Sequence, residues 1–280
     1  MARVWLYLPV CLLSLPLAVY LLAHSSRSVA HDDLRAVTLN EEGPLPSAAQ
    51  MEDLARTDPI KFLENCLRRY DREVQGYSGT MQKHERIDGT LYPEETIAIQ
   101  FREHPFSVFM RWLQGARRTG PERALYVEGE NKGQTLARPF GVAARILYGD
   151  IVHRDVDGPD ARRSGRYTLK EFGIRLGTVR TLVAWQAARD AGRLHFDYQG
   201  LQPVPQAGNR LCYVLHRTTE RAEDDGVTDV TIAVDRENWL QVGSVLQGKG
   251  GKLIGEYFFR DLHLNPTFAN DQFTVAALKP

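Results

Sequence analysis

The hydrophobic pattern of this chain changes its period at Gly76, and that change limits the folds available to it. Before Gly76, apolar side chains recur every three or four residues, as they do on one face of a helix. After Gly76, apolar and polar side chains alternate, which is typical of strands with one buried face. The pattern therefore predicts an α+β fold in which a helix precedes an antiparallel sheet.

The helix before Gly76 has a clear start, since Asp58 is a suitable N-cap and Pro59 follows at the first helical position. Its apolar stripe consists of Leu63, Cys66, Leu67, Tyr70 and Val74. The spacing predicts an amphipathic helix that buries this stripe.

Ten strands are predicted from the alternation, and Asp88 and Gly89 form a hairpin turn signal after the first. The strands cover residues 77–87, 96–102, 106–112, 124–127, 135–138, 194–199, 211–218, 227–235, 241–246 and 253–264. The last is apolar on both faces, which predicts a central position in the sheet. Between the two groups of strands, helices are predicted over residues 140–148 and 179–191, the second capped by Thr178 and closed by Gly192.

The N-terminus carries an apolar run at residues 4–23, preceded by Arg3. About 20 apolar residues match the thickness of a bilayer core, and a basic start followed by an apolar run also describes a secretory signal. An uncleaved membrane anchor and a cleaved signal peptide therefore both stay open, and both export the chain to the periplasm or another cell-envelope space. Residues 24–57 are polar and predict a flexible linker, which leaves residues 58–280 as one globular domain.

The charges balance overall, with 35 Lys and Arg against 35 Asp and Glu, so we expect no nucleic-acid partner. They are unevenly placed, however. Residues 114–193 contain 15 Lys or Arg and 9 Asp or Glu, a net of +6, whereas residues 220–237 contain 2 and 7, a net of −5. The basic middle suits anionic lipid or an acidic partner, and an ordinary solvated face is the alternative.

Outside the apolar run the cysteines are Cys66 and Cys212, both on predicted inward faces. In an oxidising compartment, two such cysteines predict a disulfide. A pair of buried free thiols is the alternative.

The sequence contains no recognisable catalytic or metal-binding motif. Its eight histidines are scattered, and the acidic run at residues 155–160 lacks the closing Glu of a calcium loop. There is no phosphate-binding loop and no nucleophile elbow. We therefore expect no cofactor, no metal and no enzymatic activity. His84 and Glu85 could act as an acid–base pair, but cross-strand ion pairing on a solvent face is the preferred interpretation.

Several blocks of the sequence resemble a bacterial exported family, the domain of unknown function fifteen seventy-one. The blocks are residues 77–80, 83–87, 101–108, 125–129, 136–139 and 239–243. The layout is in turn similar to the lipoprotein-carrier superfamily, which includes the carrier LolA, the receptor LolB and the sensor RseB. This resemblance implies an N-terminal helix and a curved antiparallel sheet that forms an incomplete β-barrel. The helical insertion predicted near residues 140–192 departs from a minimal carrier of this superfamily.

The resemblance also implies a non-enzymatic envelope protein that binds a lipid, an acyl chain or a lipoprotein on the concave face of the sheet. The alternation predicts that this face carries the lining residues Phe101, Val108, Met110, Trp112 and Phe258. The alternative is an envelope sensor or scaffold that binds a protein partner, and a hydrolase with a dispersed site is the third hypothesis.

Overall fold

The computed structural model describes residues 34, 35, 37, 39, 43–116, 120–223 and 226–279. The predicted signal or anchor over residues 1–23 lies outside these residues. Within the described part of the chain, no helix combines the length and the apolar character needed to cross a bilayer.

Five α-helices and twelve strands make up the described fold. The helices are α1 (Ala48–Thr57), α2 (Pro59–Glu73), α3 (Val142–Tyr148), α4 (Pro159–Ser164) and α5 (Ile174–Asp190). The strands are β1 (Gly76–Ile87), β2 (Thr90–Leu91), β3 (Glu95–Arg102), β4 (Ser107–Gln114), β5 (Pro121–Val127), β6 (Gln134–Pro139), β7 (Val152–Asp155), β8 (His195–Val204), β9 (Arg210–Thr218), β10 (Val227–Asp235), β11 (Gln241–Gly248) and β12 (Lys252–Leu264). All ten predicted strands are confirmed, and β2 and β7 are additional.

The strands form one antiparallel sheet in the order β7-β6-β5-β4-β3-β1-β12-β11-β10-β9-β8, with the short β2 paired to β1. The strands β7 and β8 are the two edges, so the curved sheet is not closed into a barrel. Since β12 pairs with β1 at the centre, the sheet joins the two halves of the chain there. The predicted α+β class, with its incomplete barrel and central last strand, is confirmed.

The predicted start of α2 is confirmed, because the Asp58 side chain accepts a hydrogen bond of 3.0 Å from the backbone N–H of Lys61. Every residue of the predicted apolar stripe on this helix is buried. Ser47 caps the preceding helix α1 in the same way, accepting from the backbone N–H of Gln50. Two capped helices thus follow one another before the sheet begins.

The prediction of a flexible linker over residues 24–57 is wrong for residues 48–57, which form α1. Met51 and Ala55 of α1 are fully buried and belong to the main hydrophobic core, as does Leu34 further upstream. One small apolar stripe is enough to hold this mostly polar helix against β8 and β9. The folded unit therefore includes residues before Asp58.

The helical insertion contains α3, α4 and α5, and α5 packs against α2. The predicted helix over residues 140–148 is confirmed. The predicted cap Thr178 is wrong, because α5 begins four residues earlier at Ile174 and the Thr178 hydroxyl donates to the Ile174 carbonyl at 2.9 Å. Gly192 follows the end of α5 with a φ of +65°, a left-handed conformation that suits glycine.

Candidate ligand cavity

The concave face of the sheet and the insertion helices border an open cavity of about 1340 Å³. It is larger than the roughly 300–1,000 Å³ of ordinary small-molecule sites. One wall consists of inward-facing strand residues, and the other is built from α3, α4, α5 and the loop between α4 and α5. Large apolar side chains contribute to both walls: Met81, Ile97, Met110, Trp112, Trp185 and Phe259.

Helix α5 presents a face of small residues to the cavity, namely Gly177, Thr181, Ala184 and Ala188. They are spaced by four, three and four residues, which puts them on one side of an α-helix. Larger side chains at these positions would extend into the space between α5 and the sheet. The small residues therefore contribute to keeping the cavity open.

A buried charged group lies on the sheet wall, where Lys83 Nζ is 3.3 Å from Glu85 Oε2 and 2.9 Å from Glu95 Oε2. Glu85 and Glu95 are only 3% and 4% exposed. The Tyr257 hydroxyl donates a 2.6 Å hydrogen bond to Glu85 Oε1, and the backbone N–H of Arg166 donates to the same oxygen at 3.4 Å. Such pairing is needed because an isolated buried charge is strongly destabilising.

Burial raises the pKa of Tyr257 well above its usual range, and the negative charge of Glu85 raises it further. The phenol therefore keeps its proton and remains a donor at neutral pH. Its ring lies 5.7 Å from the ring of Tyr167, and the Arg180 guanidinium lies 4.1 Å from the Tyr167 ring centroid. This part of the cavity is consequently aromatic and polar at once.

A second polar region of the cavity contains Arg217 and Gln241, which are 2% and 6% exposed. Arg217 donates to the Ala184 carbonyl at 3.3 Å and to the Glu223 carboxylate. The side-chain oxygen of Gln241 has no hydrogen-bond partner among the described residues. Buried polar atoms usually have one, so Gln241 carries an unsatisfied acceptor that is buried beneath the cavity wall.

The structure places two of the five predicted lining residues at the cavity. Met110 and Trp112 line the cavity, whereas Phe101, Val108 and Phe258 do not. Phe101 packs between Tyr77 and Phe106, with ring centroids 4.8 and 5.2 Å away, and Val108 is fully buried in the same core. Alternation identifies the inward face of a strand, but other parts of the fold cover the end of the sheet where these two residues lie.

Phe258 lies against Gly243 rather than in the cavity, since a Cβ at Gly243 would come within 2.6 Å of its ring. Its neighbours Tyr257 and Phe259 line the cavity instead. Successive residues of a strand face opposite sides, so the predicted lining of β12 was wrong by one residue.

The assignment of Glu85 to a solvent face is also wrong, since Lys83 and Glu85 line the cavity together with Met81. The sequence contained a signal for this, because residues 81, 83 and 85 share one face of a strand. His84 lies between them and therefore belongs to the opposite face. The predicted acid–base pair of His84 and Glu85 is thus divided between the two sides of the sheet.

Cys66 and Cys212 are both buried and free, so the predicted disulfide is not formed in this structure. Both thiols belong to the main hydrophobic core. Cys66 lies in the apolar stripe of α2, and the Cys212 thiol donates to the Arg210 carbonyl at 3.4 Å. Burial raises the pKa of Cys66 far above its usual value and that of Cys212 to about 11. Both groups therefore remain protonated thiols at neutral pH.

His84, Glu94 and Glu256 form the group among the described residues whose side chains could hold a metal ion. Their ligand atoms lie within 4.8 Å of one another, and His84 is directly opposite Glu256 on paired strands. The Gln82 amide donates to Glu94 at 2.6 Å and orients that carboxylate. Surface groups of this kind also occur without an ion, so the geometry alone does not assign one.

Comparison with known families matches residues 74–278 to the family described as Protein of unknown function (DUF1571). The chain belongs to this family. The assignment made from the sequence blocks is thereby confirmed. A search of curated proteins finds no match.

Several solved structures have similar folds at low sequence identity. A chain of the Pseudomonas aeruginosa MucA/MucB complex is 19% identical, with 79% of this chain and 62% of that chain covered and a TM-score of 0.45. A LolA superfamily protein from Nitrosomonas europaea is 10% identical, with 84% and 100% covered and a TM-score of 0.32. The Mycobacterium tuberculosis lipoprotein LppX is 10% identical, with 76% and 100% covered and a TM-score of 0.41. This chain thus spans only about three fifths of the matched chain in the MucA/MucB complex.

Proposed function

We propose that this protein binds a lipid, an acyl chain or a lipoprotein anchor in its cavity and catalyses no reaction on it. The observation that carries the proposal is the 1340 Å³ cavity between the sheet and α5, whose walls are mostly apolar. A space of this size beside a face of small residues is unusual in a close-packed interior. It is the arrangement expected of a site that is filled by a ligand.

The affinity of such a site needs no reactive group. Each buried methylene group contributes about 0.8 kcal/mol. About ten of them would contribute about 8 kcal/mol, the free energy of a Kd near 1 μM. An acyl chain in contact with Met110, Trp112 and Phe259 would therefore be held by burial alone.

The polar groups of the cavity favour an amphipathic ligand over a pure hydrocarbon. The ion pairs of Lys83 with Glu85 and Glu95, and of Arg217 with Glu223, put charged groups beside the apolar walls, where the polar end of a ligand would lie. The proposal includes a place of action in the cell envelope, which the apolar run at residues 4–23 supports.

The test uses the protein purified from its native membranes in mild detergent, with mass spectrometry of the lipids that remain bound. Binding of a fluorescent fatty acid is then compared in two variants, Ala137→Phe and Ala98→Phe. Ala137 is on the cavity wall of β6, whereas Ala98 of β3 is similarly half-buried and does not line the cavity. We expect Ala137→Phe to weaken binding at least about tenfold, because the ring occupies ligand space, and Ala98→Phe to bind as the wild type does.

Two results would overturn the proposal. One is a protein without bound lipid that also fails to bind the probe. The other is equal probe binding by both variants. If crosslinking in cells instead recovers one dominant protein partner and no lipid is found, the sensor or scaffold hypothesis replaces this one. MucB, by comparison, has been crystallised with MucA.

A further inference from the structure

Helix α3 and the residue two positions before it expose a group of large apolar side chains. The group consists of Phe140, Val142, Ile146, Leu147 and Tyr148, whose exposed fractions range from 42% to 82%. These are five of the nine large apolar residues that are exposed within the described part of the chain. Scattered apolar residues on a surface are ordinary, but a contiguous group marks an interaction site.

The polar side of α3 is tied to the sheet, which leaves the apolar side outward. Arg145, the one charged residue of α3, lies 2.8 Å from Glu122 Oε2 and 3.5 Å from the Pro139 carbonyl. Gly141 and Gly149 bracket the helix with φ of +84° and +92°, a region that glycine adopts readily. These turns separate the short helix from the strands on either side of it.

Helix α3 also borders the cavity, since Ala143, Ala144, Leu147 and Tyr148 are among its lining residues. Phe140, Val142 and Ile146 do not line the cavity, and Val142 and Ile146 are the two of these that lie on α3 itself. Leu147 and Tyr148 belong both to the exposed apolar group and to the cavity lining. The apolar surface is therefore continuous from the inside of the cavity, over α3, to the outside of the protein.

We propose that α3 is the surface through which this protein contacts an anionic lipid bilayer, with Val142 and Ile146 inserted among the acyl chains. The inference rests on the proposed function, because a lipid ligand would pass between the bilayer and the cavity beside α3. Aliphatic side chains with a tyrosine at the helix end suit the boundary between acyl chains and head groups.

Two arginines in the segments that follow α3 suit anionic head groups. Arg154 and Arg163 line the cavity in the segments that follow α3, and their side chains are 46% and 70% exposed. Both lie near Asp160, at 3.2 and 3.7 Å. Exposed ion pairs of this kind contribute little, so exchange of Asp160 for a lipid phosphate costs little. The segment from residue 114 to 193 has a net charge of +6.

The size of the group favours a bilayer over a protein partner or a second copy of this chain. Stable protein interfaces involve about 20–30 residues on each side, whereas this group has five. A small apolar group is sufficient for a brief contact with a membrane, in which lipid surrounds each inserted side chain.

The first measurement is hydrogen exchange by mass spectrometry on the full chain, with and without vesicles of phosphatidylcholine and phosphatidylglycerol in equal amounts. Because the readout is local to α3, membrane attachment through the apolar run at residues 4–23 does not interfere. We expect the backbone amides of residues 142–148 to exchange at least about tenfold more slowly with these vesicles, and to be little affected by pure phosphatidylcholine. Unchanged exchange in α3 would overturn the inference.

The second measurement is the rate at which a fluorescent fatty acid passes from the same vesicles to the protein. Val142→Asp and Ile146→Asp should slow this transfer at least about tenfold, while the affinity for the probe in vesicle-free buffer stays unchanged. Val275→Asp is the matched control, since Val275 is 43% exposed in the C-terminal segment, outside α3. Equal transfer by wild type and Ile146→Asp would contradict the inference. A protein that never binds the probe would instead contradict the proposed function, whereas the exchange measurement would still decide the role of α3.

Discussion

The Tyr257 hydroxyl donates a 2.6 Å hydrogen bond to Glu85 Oε1 across a sequence separation of 172 residues. The two residues lie on β12 and β1, the central strands of the sheet. This bond joins the two halves of the chain at the wall of the cavity. It also satisfies a carboxylate that would otherwise be buried with fewer partners.

We expect Tyr257→Phe to lower the free energy of unfolding by about 1.5–3 kcal/mol, the range for a hydrogen bond to a charged group. Urea unfolding measures the change. Tyr167→Phe is the control, since the Tyr167 ring lines the same cavity and its hydroxyl makes no hydrogen bond to the described residues. Similar decreases in the free energy of unfolding of the two variants would show that the hydrogen bond to Glu85 does not stabilise the fold.

Alkaline pH should destabilise the protein through three buried tyrosines, Tyr70, Tyr77 and Tyr257. Burial raises the pKa of each well above its usual range. The unfolded state therefore loses these protons first as the pH rises. The contribution of these tyrosines to the free energy of unfolding is fully present below about pH 10. Above that pH it decreases, by up to about 1.4 kcal/mol per pH unit for each tyrosine.

Absorbance of tyrosinate and urea unfolding, followed between neutral and alkaline pH, check this expectation. Part of the tyrosinate signal should appear only when the protein unfolds. Tyr70→Phe should show a shallower loss of stability with pH. A smooth ionisation of all tyrosines in the folded protein would mean that the three phenols are open to solvent.

Cys66 and Cys212 should be present as two thiols that do not react until the protein unfolds. Burial protects them from reagents and raises the pKa of both groups, so little reactive thiolate exists at neutral pH. Alkylation with and without urea, followed by peptide mass spectrometry, measures each cysteine separately. A peptide pair linked by a disulfide in protein that has not been reduced would restore the pairing expected from the sequence.

Replacing either of two glycines with alanine should change the stability of the protein, in opposite directions at the two positions. At Gly243 a Cβ would lie 2.6 Å from the Phe258 ring, so Gly243→Ala should lower stability by about 1–3 kcal/mol through overpacking. At Gly177 the nearest atom is 4.0 Å from an added Cβ, so Gly177→Ala should raise stability by up to about 1 kcal/mol through higher helix propensity. Urea unfolding of both variants checks the pair, and a stabilised Gly243→Ala would contradict the packing around Phe258.

The alternation of apolar residues was sufficient to predict the strands because it is a local property of the chain. The capped start at Asp58 and Pro59 could be predicted for the same reason, since the cap is formed by residues three positions apart. The family was predicted separately, from the resemblance of several short sequence blocks. Helix α1 was missed because its few apolar residues become a buried stripe only when β8 and β9 lie beneath it. Thr178 looked like a cap although α5 already begins at Ile174.

The sequence by itself determined the α+β class, the positions of the strands and the inward face of most of them, because a period of two puts alternate residues on opposite sides of a sheet. Only the tertiary structure decided where that inward face is covered by packing and where it borders a cavity. Phe101 and Met110 share the same pattern and both belong to the core, yet only Met110 also borders the cavity. Likewise, Glu85 is buried because residues far away in the sequence, including Tyr257, supply its partners. Such long-range contacts leave no pattern in the local sequence. The residues that line the cavity could therefore be identified only from the tertiary structure.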